Sequence, residues 1–132
     1  METYAFRLRP GQDLKAELDS FAVRHDLEAA CVLASAGSLT RAVLRFANQS
    51  TATILEGYFE IVALTGTLAR HGSHIHIAIS DGEGRTYGAH LMEGSRVYTT
   101  AEIVIGVVPG VRFLRTPDLD TGYDELDIQT HP

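Results

Sequence analysis

The sequence predicts an α+β fold: a largely antiparallel sheet of about eight short strands with one main packed helix. Three observations carry that prediction. One stretch, residues 12–25, repeats its apolar side chains at spacings of three and four. From Ala30 onward the apolar period changes to two and stays there. Gly82, Gly84, Gly94 and Gly110 then punctuate the two-residue pattern where turns are needed.

The elements follow in order. Tyr4, Phe6 and Leu8 alternate with Ala5, Arg7 and Arg9, which reads as a short strand that Pro10-Gly11 breaks. Leu14, Leu18, Phe21 and Ala22 form the apolar stripe of the helix. Asp13 at its start and Arg24 and His25 at its end suit the helix dipole. Residues 30–36 are almost continuously apolar and read as a buried strand ending at Gly37-Ser38. Ala42, Leu44 and Phe46 alternate with Val43, Arg45 and Ala47, a strand with one wetter face. Residues 58–68 continue the alternation, with Phe59, Ile61 and Ala63 against Tyr58, Glu60 and Val62. Residues 74–80, 86–91, 97–107 and 111–115 complete the strands, and 118–132 read as a partly ordered acidic tail.

A chain of 132 residues with 45% hydrophobic positions fits a single domain over 1–132, and neither a repeat nor a Pro/Gly linker divides it. The net charge of -6 disfavours a general nucleic-acid coat protein. Asp118, Asp120, Asp124, Glu125 and Asp127 concentrate much of the negative charge in the tail. The single cysteine, Cys31, excludes an internal disulfide and fits a reducing compartment. Residues 1–10 have no signal-peptide h-region, and no apolar run approaches the length of a membrane span. The expected location is therefore the cytoplasm, without a membrane partner, and the sequon Asn48-Gln49-Ser50 has no expected role.

The histidines are clustered. Four of the six lie within residues 71–90: His71, His74, His76 and His90. On a strand His74 and His76 share a face, with Ile75, Ile77 and Ile79 on the other. Hairpin register decides where His90 points. A two-residue loop at Gly82-Glu83 would mix apolar and polar residues on both faces. A three-residue loop, Gly82-Glu83-Gly84, with Gly84 left-handed, sets Ile79 opposite Tyr87, Ile77 opposite Ala89 and Ile75 opposite Leu91. On the reverse face Ser80 then meets Thr86, Ala78 meets Gly88, and His76 meets His90. Only this register sorts the apolar side chains onto one side, so it is the one predicted.

Three imidazoles then converge, His76 opposite His90 and His74 diagonal to it, close enough to share one divalent cation. Three histidines with an open fourth position suit a zinc that accepts a ligand, rather than a closed structural site. Ala78 and Gly88 leave room for that ligand. The competing reading is a solvated strand face. His71 reads as a loop residue, and His25 and His131 as a helix-end and a tail residue.

Several segments resemble the plants-and-prokaryotes-conserved (PPC) domain family. Gly57-Tyr58-Phe59-Glu60-Ile61-Val62 is similar to its Gly-Arg-Phe-Glu-Ile-Leu signature, with Tyr58 in place of arginine. The stretches 74–82, 88–94, 97–105 and 122–126 resemble its free-standing prokaryotic branch, and the likeness runs from about Tyr4 to Leu126. The resemblance implies an antiparallel sheet with a packed helix, a homotrimer, and a DNA-binding or regulatory role. It also implies a divalent metal at His74, His76 and His90. The Arg-Gly-Arg-Pro hook of the plant proteins is absent; Arg7-Leu8-Arg9-Pro10 is a distant echo. The fold is also similar to that of acetolactate decarboxylase, a metal lyase with a His-x-His and a later histidine. That analogy keeps open an alternative, a small metal-dependent enzyme (lyase or hydrolase-like) acting on an oxo-acid.

Two acids are weaker catalytic candidates. Glu102 shares a strand face with Tyr98 and Thr100 and could be a fourth ligand, a partner to a ligand or a general base; a surface glutamate is the plainer reading. Glu60 lies between Phe59 and Ile61 and is either buried with a partner or on the wet face. Arg41 with Arg45, and Arg112 with Arg115, read as solvated arginines that a trimer could gather into rings. Gly82, Gly84 and Gly88 are spaced wrongly for a dinucleotide loop, and Cys31 reads as a core residue.

Overall fold

The computed structural model describes residues 2–130. Eight strands and one helix run in the order β1 (Thr3–Leu8), α1 (Leu14–Arg24), β2 (Ala30–Arg45), β3 (Thr53–Ala69), β4 (Gly72–Ser80), β5 (Thr86–Leu91), β6 (Arg96–Val107), β7 (Val111–Pro117) and β8 (Asp124–Thr130). All pairings are antiparallel. The predicted α+β class is therefore the observed one.

Six strands form one sheet in the order β1-β6-β2-β3-β4-β5, and β7 and β8 form a separate two-stranded sheet. The last strand of the large sheet returns to the end of β2, pairing Leu91 with Leu44 and His90 with Arg45. Strands β2, β3, β4 and β5 thus close on themselves. A closed sheet has one lining for apolar residues and one outer surface for polar ones. Leu44, Leu64, Ile75, Ile77, Ile79 and Leu91 are all buried, while His74 and His76, on the alternate positions, are exposed.

The helix stripe enters this core as its spacing requires: Leu14, Leu18, Phe21 and Ala22 are the buried residues of α1. Each fully buried leucine contributes roughly 1.5–3 kcal/mol over an exposed one. Asp13 caps the helix by accepting from the Ala16 amide at 3.1 Å. Its other carboxylate oxygen accepts from the Gly94 amide at 2.7 Å, tying the helix start to the β5–β6 turn.

Several boundaries differ from expectation, among them the start of β3, at Thr53 and not Tyr58. Gly37-Ser38 does not end a strand, because Gly37 is paired on both sides, with Ile61 of β3 and Ala101 of β6. The two strands expected at 30–36 and 42–47 are one long element that ends at Arg45, continuous through register shifts around Leu39 and Arg41. Nor is 30–36 uniformly buried, since Leu33 is 47% exposed. Cys31, expected in the core, is only partly buried. Within the acidic segment 118–132, Asp124–Thr130 forms β8 against β7, and His131 lies outside the described residues. The helix is too short to cross a membrane.

Candidate metal centre

The hairpin that carries the histidines is set by its loop. The Asp81 carboxylate accepts from the Glu83 and Arg85 amides and from Arg85 Nε, each at 2.9 Å. Gly84 has φ 81°, the left-handed conformation the three-residue loop requires. The resulting register pairs Ser80 with Thr86, Ile79 with Tyr87, Ala78 with Gly88, Ile77 with Ala89 and His76 with His90. These are the predicted pairings. The β4–β5 ladder ends at His76 and His90, one pair short of the Ile75–Leu91 pair expected, and on the other edge of β5 Leu91 lies opposite Leu44.

A second feature brings His74 into reach. Gly66 on β3 lies opposite Ile75, and a Cβ there would stand 2.3 Å from the His74 carbonyl oxygen and 2.9 Å from Ile75 Cα. Only a glycine lets β3 and β4 approach this closely beside the first histidine. Thr67 pairs with His74 and Thr65 with His76, so hydroxyl side chains border the cluster on that side.

The three rings meet. Ring centroids are 4.8 Å apart for His74 and His76, 5.2 Å for His74 and His90, and 4.6 Å for His76 and His90. His74 Nε2 lies 3.1 Å from His76 Nε2 and 3.3 Å from His90 Nδ1. One potential ligand atom from each residue lies within 4.8 Å of the others. Zinc–nitrogen bonds of about 2.0–2.1 Å in a tetrahedron put neighbouring nitrogens roughly 3.3 Å apart. The two separations from His74 Nε2 are close to that edge, and the third pair, His76 and His90, lies within 4.8 Å, so the cluster offers three nitrogen donors to one cation on an exposed strand face.

The electrostatics favour the ligand form of two rings. Burial first, and then the neighbouring His76, His90 and Arg115, hold the His74 pKa below the usual imidazole value, with Glu125 opposing. For His90 the causes are burial, then Arg45 and His76. A metal takes the neutral imidazole, so these shifts reduce the proton competition for the site.

The structure brings together His74, His76 and His90 and leaves the acids elsewhere. Glu102 is exposed on β6 between Arg7 and Ala36 and accepts from Thr100 Oγ1 at 3.3 Å. Glu60 is exposed on β3 opposite Ser80, four residues along β4 from His76. His71 occupies the β3–β4 turn, with Nε2 3.2 Å from Glu28 Oε2. Two residues were read without their neighbours: Arg45, directly opposite His90, and Arg115, whose Nη2 donates to Thr67 Oγ1 at 3.0 Å beside His74. A one-strand alternation contains no signal for either, since both placements depend on pairing between distant segments.

The sheet and the segments along it place the chain in a known family. The chain belongs to the Plants and Prokaryotes Conserved (PCC) domain family, whose model matches residues 1–109. It is 48% identical over 129 residues to the bifunctional protein GlmU of Synechococcus sp. (strain JA-3-3Ab), which covers 98% of this chain and 21% of that protein. The chain thus spans about a fifth of the length of that curated relative. Among solved structures it is similar to a hypothetical protein from Salmonella enterica, at 44% identity and a TM-score of 0.97, covering 99% of this chain and 95% of the other. It also shares its fold with a metal-containing protein from Archaeoglobus fulgidus, at 24% identity and a TM-score of 0.80, covering 96% and 94% of the two chains.

Proposed function

We propose that this domain is a divalent-metal-binding module of the PCC family, with His74, His76 and His90 holding one zinc ion and a fourth position open to an exogenous ligand. The observation that carries the reading is the pair of nitrogen separations at 3.1 and 3.3 Å on an exposed strand face. Imidazole donors also suit nickel, copper and iron; zinc is the ion whose tetrahedral edge those separations resemble. The metal content of the Archaeoglobus protein is consistent with this reading. The assembly is a homotrimer in the cytoplasm. Exposed apolar side chains on the outer surface support it, among them Leu33, Val62 and the Tyr58–Tyr98 pair with centroids 4.9 Å apart.

The role of the module is regulatory, with DNA as the partner family resemblance suggests. A net charge of -6 weighs against strong duplex binding. Elemental analysis of the purified protein tests the metal: about one zinc per chain is expected, and a metal-free protein that stays metal-free in added zinc defeats the proposal. Retention on duplex DNA that falls with salt at physiological ionic strength tests the partner; no retention removes DNA from the reading.

A metal-dependent enzyme acting on a small oxo-acid is the second reading, favoured by the outward-facing open position of the triad. Bound zinc would supply Lewis-acid polarisation of the substrate oxygen. Metal-restored turnover of 2-oxo acids by the apoprotein supports it, and none in either state removes it.

A further inference from the structure

The basic side chains divide into three groups. Lys15, Arg41, Arg70, Arg85 and Arg112 each have a carboxylate oxygen within 3.6 Å. Arg7, Arg9, Arg24 and Arg96 have no such partner among the described residues, but they are exposed, where water satisfies them. Arg45 and Arg115 are the third group. They too lack a carboxylate partner among the described residues, yet they are partly buried. The chain has seventeen acidic against eleven basic residues, so the shortage is local and not one of supply.

Both members of this group border the histidines from opposite sides. Arg45 is the direct cross-strand neighbour of His90. Arg115 reaches from β7 to Thr67, the cross-strand neighbour of His74. Its Cγ passes 3.5 Å from where a Cβ on Gly72 would lie, so the stem crosses the start of β4. The β7 strand is anchored there independently: the Phe113 amide donates to the Glu28 carbonyl at 2.8 Å and Arg112 Nε lies 3.3 Å from the Glu28 carboxylate. Arg45 stands about 5 Å from His90 at Cβ and its Nη1 donates to the exposed Gln49 carbonyl at 3.4 Å, while Arg115 rests on Thr67; both long side chains make only neutral contacts and can turn to a small molecule held at the triad.

We infer that Arg45 and Arg115 form an anion clamp around the open metal position, and that its ligand is a small carboxylate anion with an oxygen donor for the metal. The inference rests on the metal reading above. Neutral imidazoles leave a divalent cation with its full charge, and two guanidinium groups add to it, against the single carboxylate of Glu125 facing His74. An oxygen donor completes the tetrahedron while the planar fork of an arginine pairs with a carboxylate through two hydrogen bonds. A neutral ligand would leave both guanidinium groups without a counter-charge.

The test is calorimetric titration of oxalate, and separately of pyruvate, into the zinc-loaded full chain and its Arg45→Ala, Arg115→Ala and Arg24→Ala variants. Zinc content and zinc affinity are measured for each by chelator competition. The expected result is one zinc per chain throughout, unchanged anion affinity for Arg24→Ala, and a loss of about tenfold or more for each of the other two. Arg45→Gln and Arg115→Gln, which keep a hydrogen-bonding side chain, replace any alanine variant that fails to fold and are expected to weaken the anion equally. Unchanged anion affinity, or no anion binding by the zinc-loaded wild type, overturns the clamp and leaves the metal centre standing. Failure of the wild type to bind zinc overturns both.

Discussion

The β4–β5 hairpin and strand β6 offer side chains of similar chemical promise in opposite circumstances. Along β6, Tyr98, Thr100 and Glu102 follow one another on a single face, and the glutamate lies between Arg7 of β1 and Ala36 of β2 and accepts from its own strand's Thr100, with no second acid or histidine paired to it among the described residues. On the hairpin, two strands each contribute to one point, and three ring nitrogens gather within 4.8 Å. Alternation along one strand lays out a row; only register between strands makes a cluster. The difference teaches that a site is specified by the loop that sets the pairing as much as by the residues that act.

The largest effect that would sharpen this comparison is metal loss. His76→Ala is expected to lose nearly all bound zinc while Glu102→Ala keeps it, as read by elemental analysis of both purified variants. Equal metal content in the two would erase the distinction between the faces. Next comes the packing that brings β3 against His74. Gly66→Ala must push apart backbones that a Cβ would approach to 2.3 Å, at a cost of about 1–3 kcal/mol. A fall in both melting temperature and zinc affinity is expected, and a variant as stable and as metal-avid as the wild type would contradict the role given to Gly66.

Zinc itself should stabilise the fold. At a hundredfold excess over its dissociation constant the gain is about 2.7 kcal/mol, and His76→Ala should show none of it in a thermal melt with and without metal. Away from the hairpin, Asp13→Ala removes the helix cap at a cost of about 1 kcal/mol, with zinc affinity unaltered; a parallel loss of metal would show that the two regions are coupled.

The smallest effect is on pH. Burial and neighbouring positive charge hold His74 and His90 below the ordinary imidazole range. As pH falls through about 6.5 the unfolded chain takes up these protons before the folded one does. Metal-free stability should therefore be fully present above that pH and decline as pH drops through the lower folded-state values. Melts of the apoprotein between pH 7.5 and 5 measure the decline, and replacing His74 and His90 should flatten it.

Most of the hairpin was legible beforehand because its constraints are local. Ile75, Ile77 and Ile79 must face one way, Gly84 must sit where φ is positive, and one loop length satisfies both. Helix α1 was legible for the same reason, its apolar stripe and the charges at its ends lying within about a dozen residues, though that Asp13 caps it was seen only in the structure. The strand boundary at Gly37 was not, since glycine punctuates a turn and a paired strand equally well. What differs is whether neighbours on both sides continue the ladder.

The amino-acid order alone determined the α+β class, the apolar stripe of the helix and the turn that opposes His76 to His90, since each follows from contacts between residues near in the chain. Tertiary structure decided what surrounds the triad. Closure of the sheet brought Arg45 to His90, and docking of the β7–β8 hairpin brought Arg115 beside His74. Those approaches join segments dozens of residues apart, where periodicity holds no information and the packing of whole strands fixes which side chains meet.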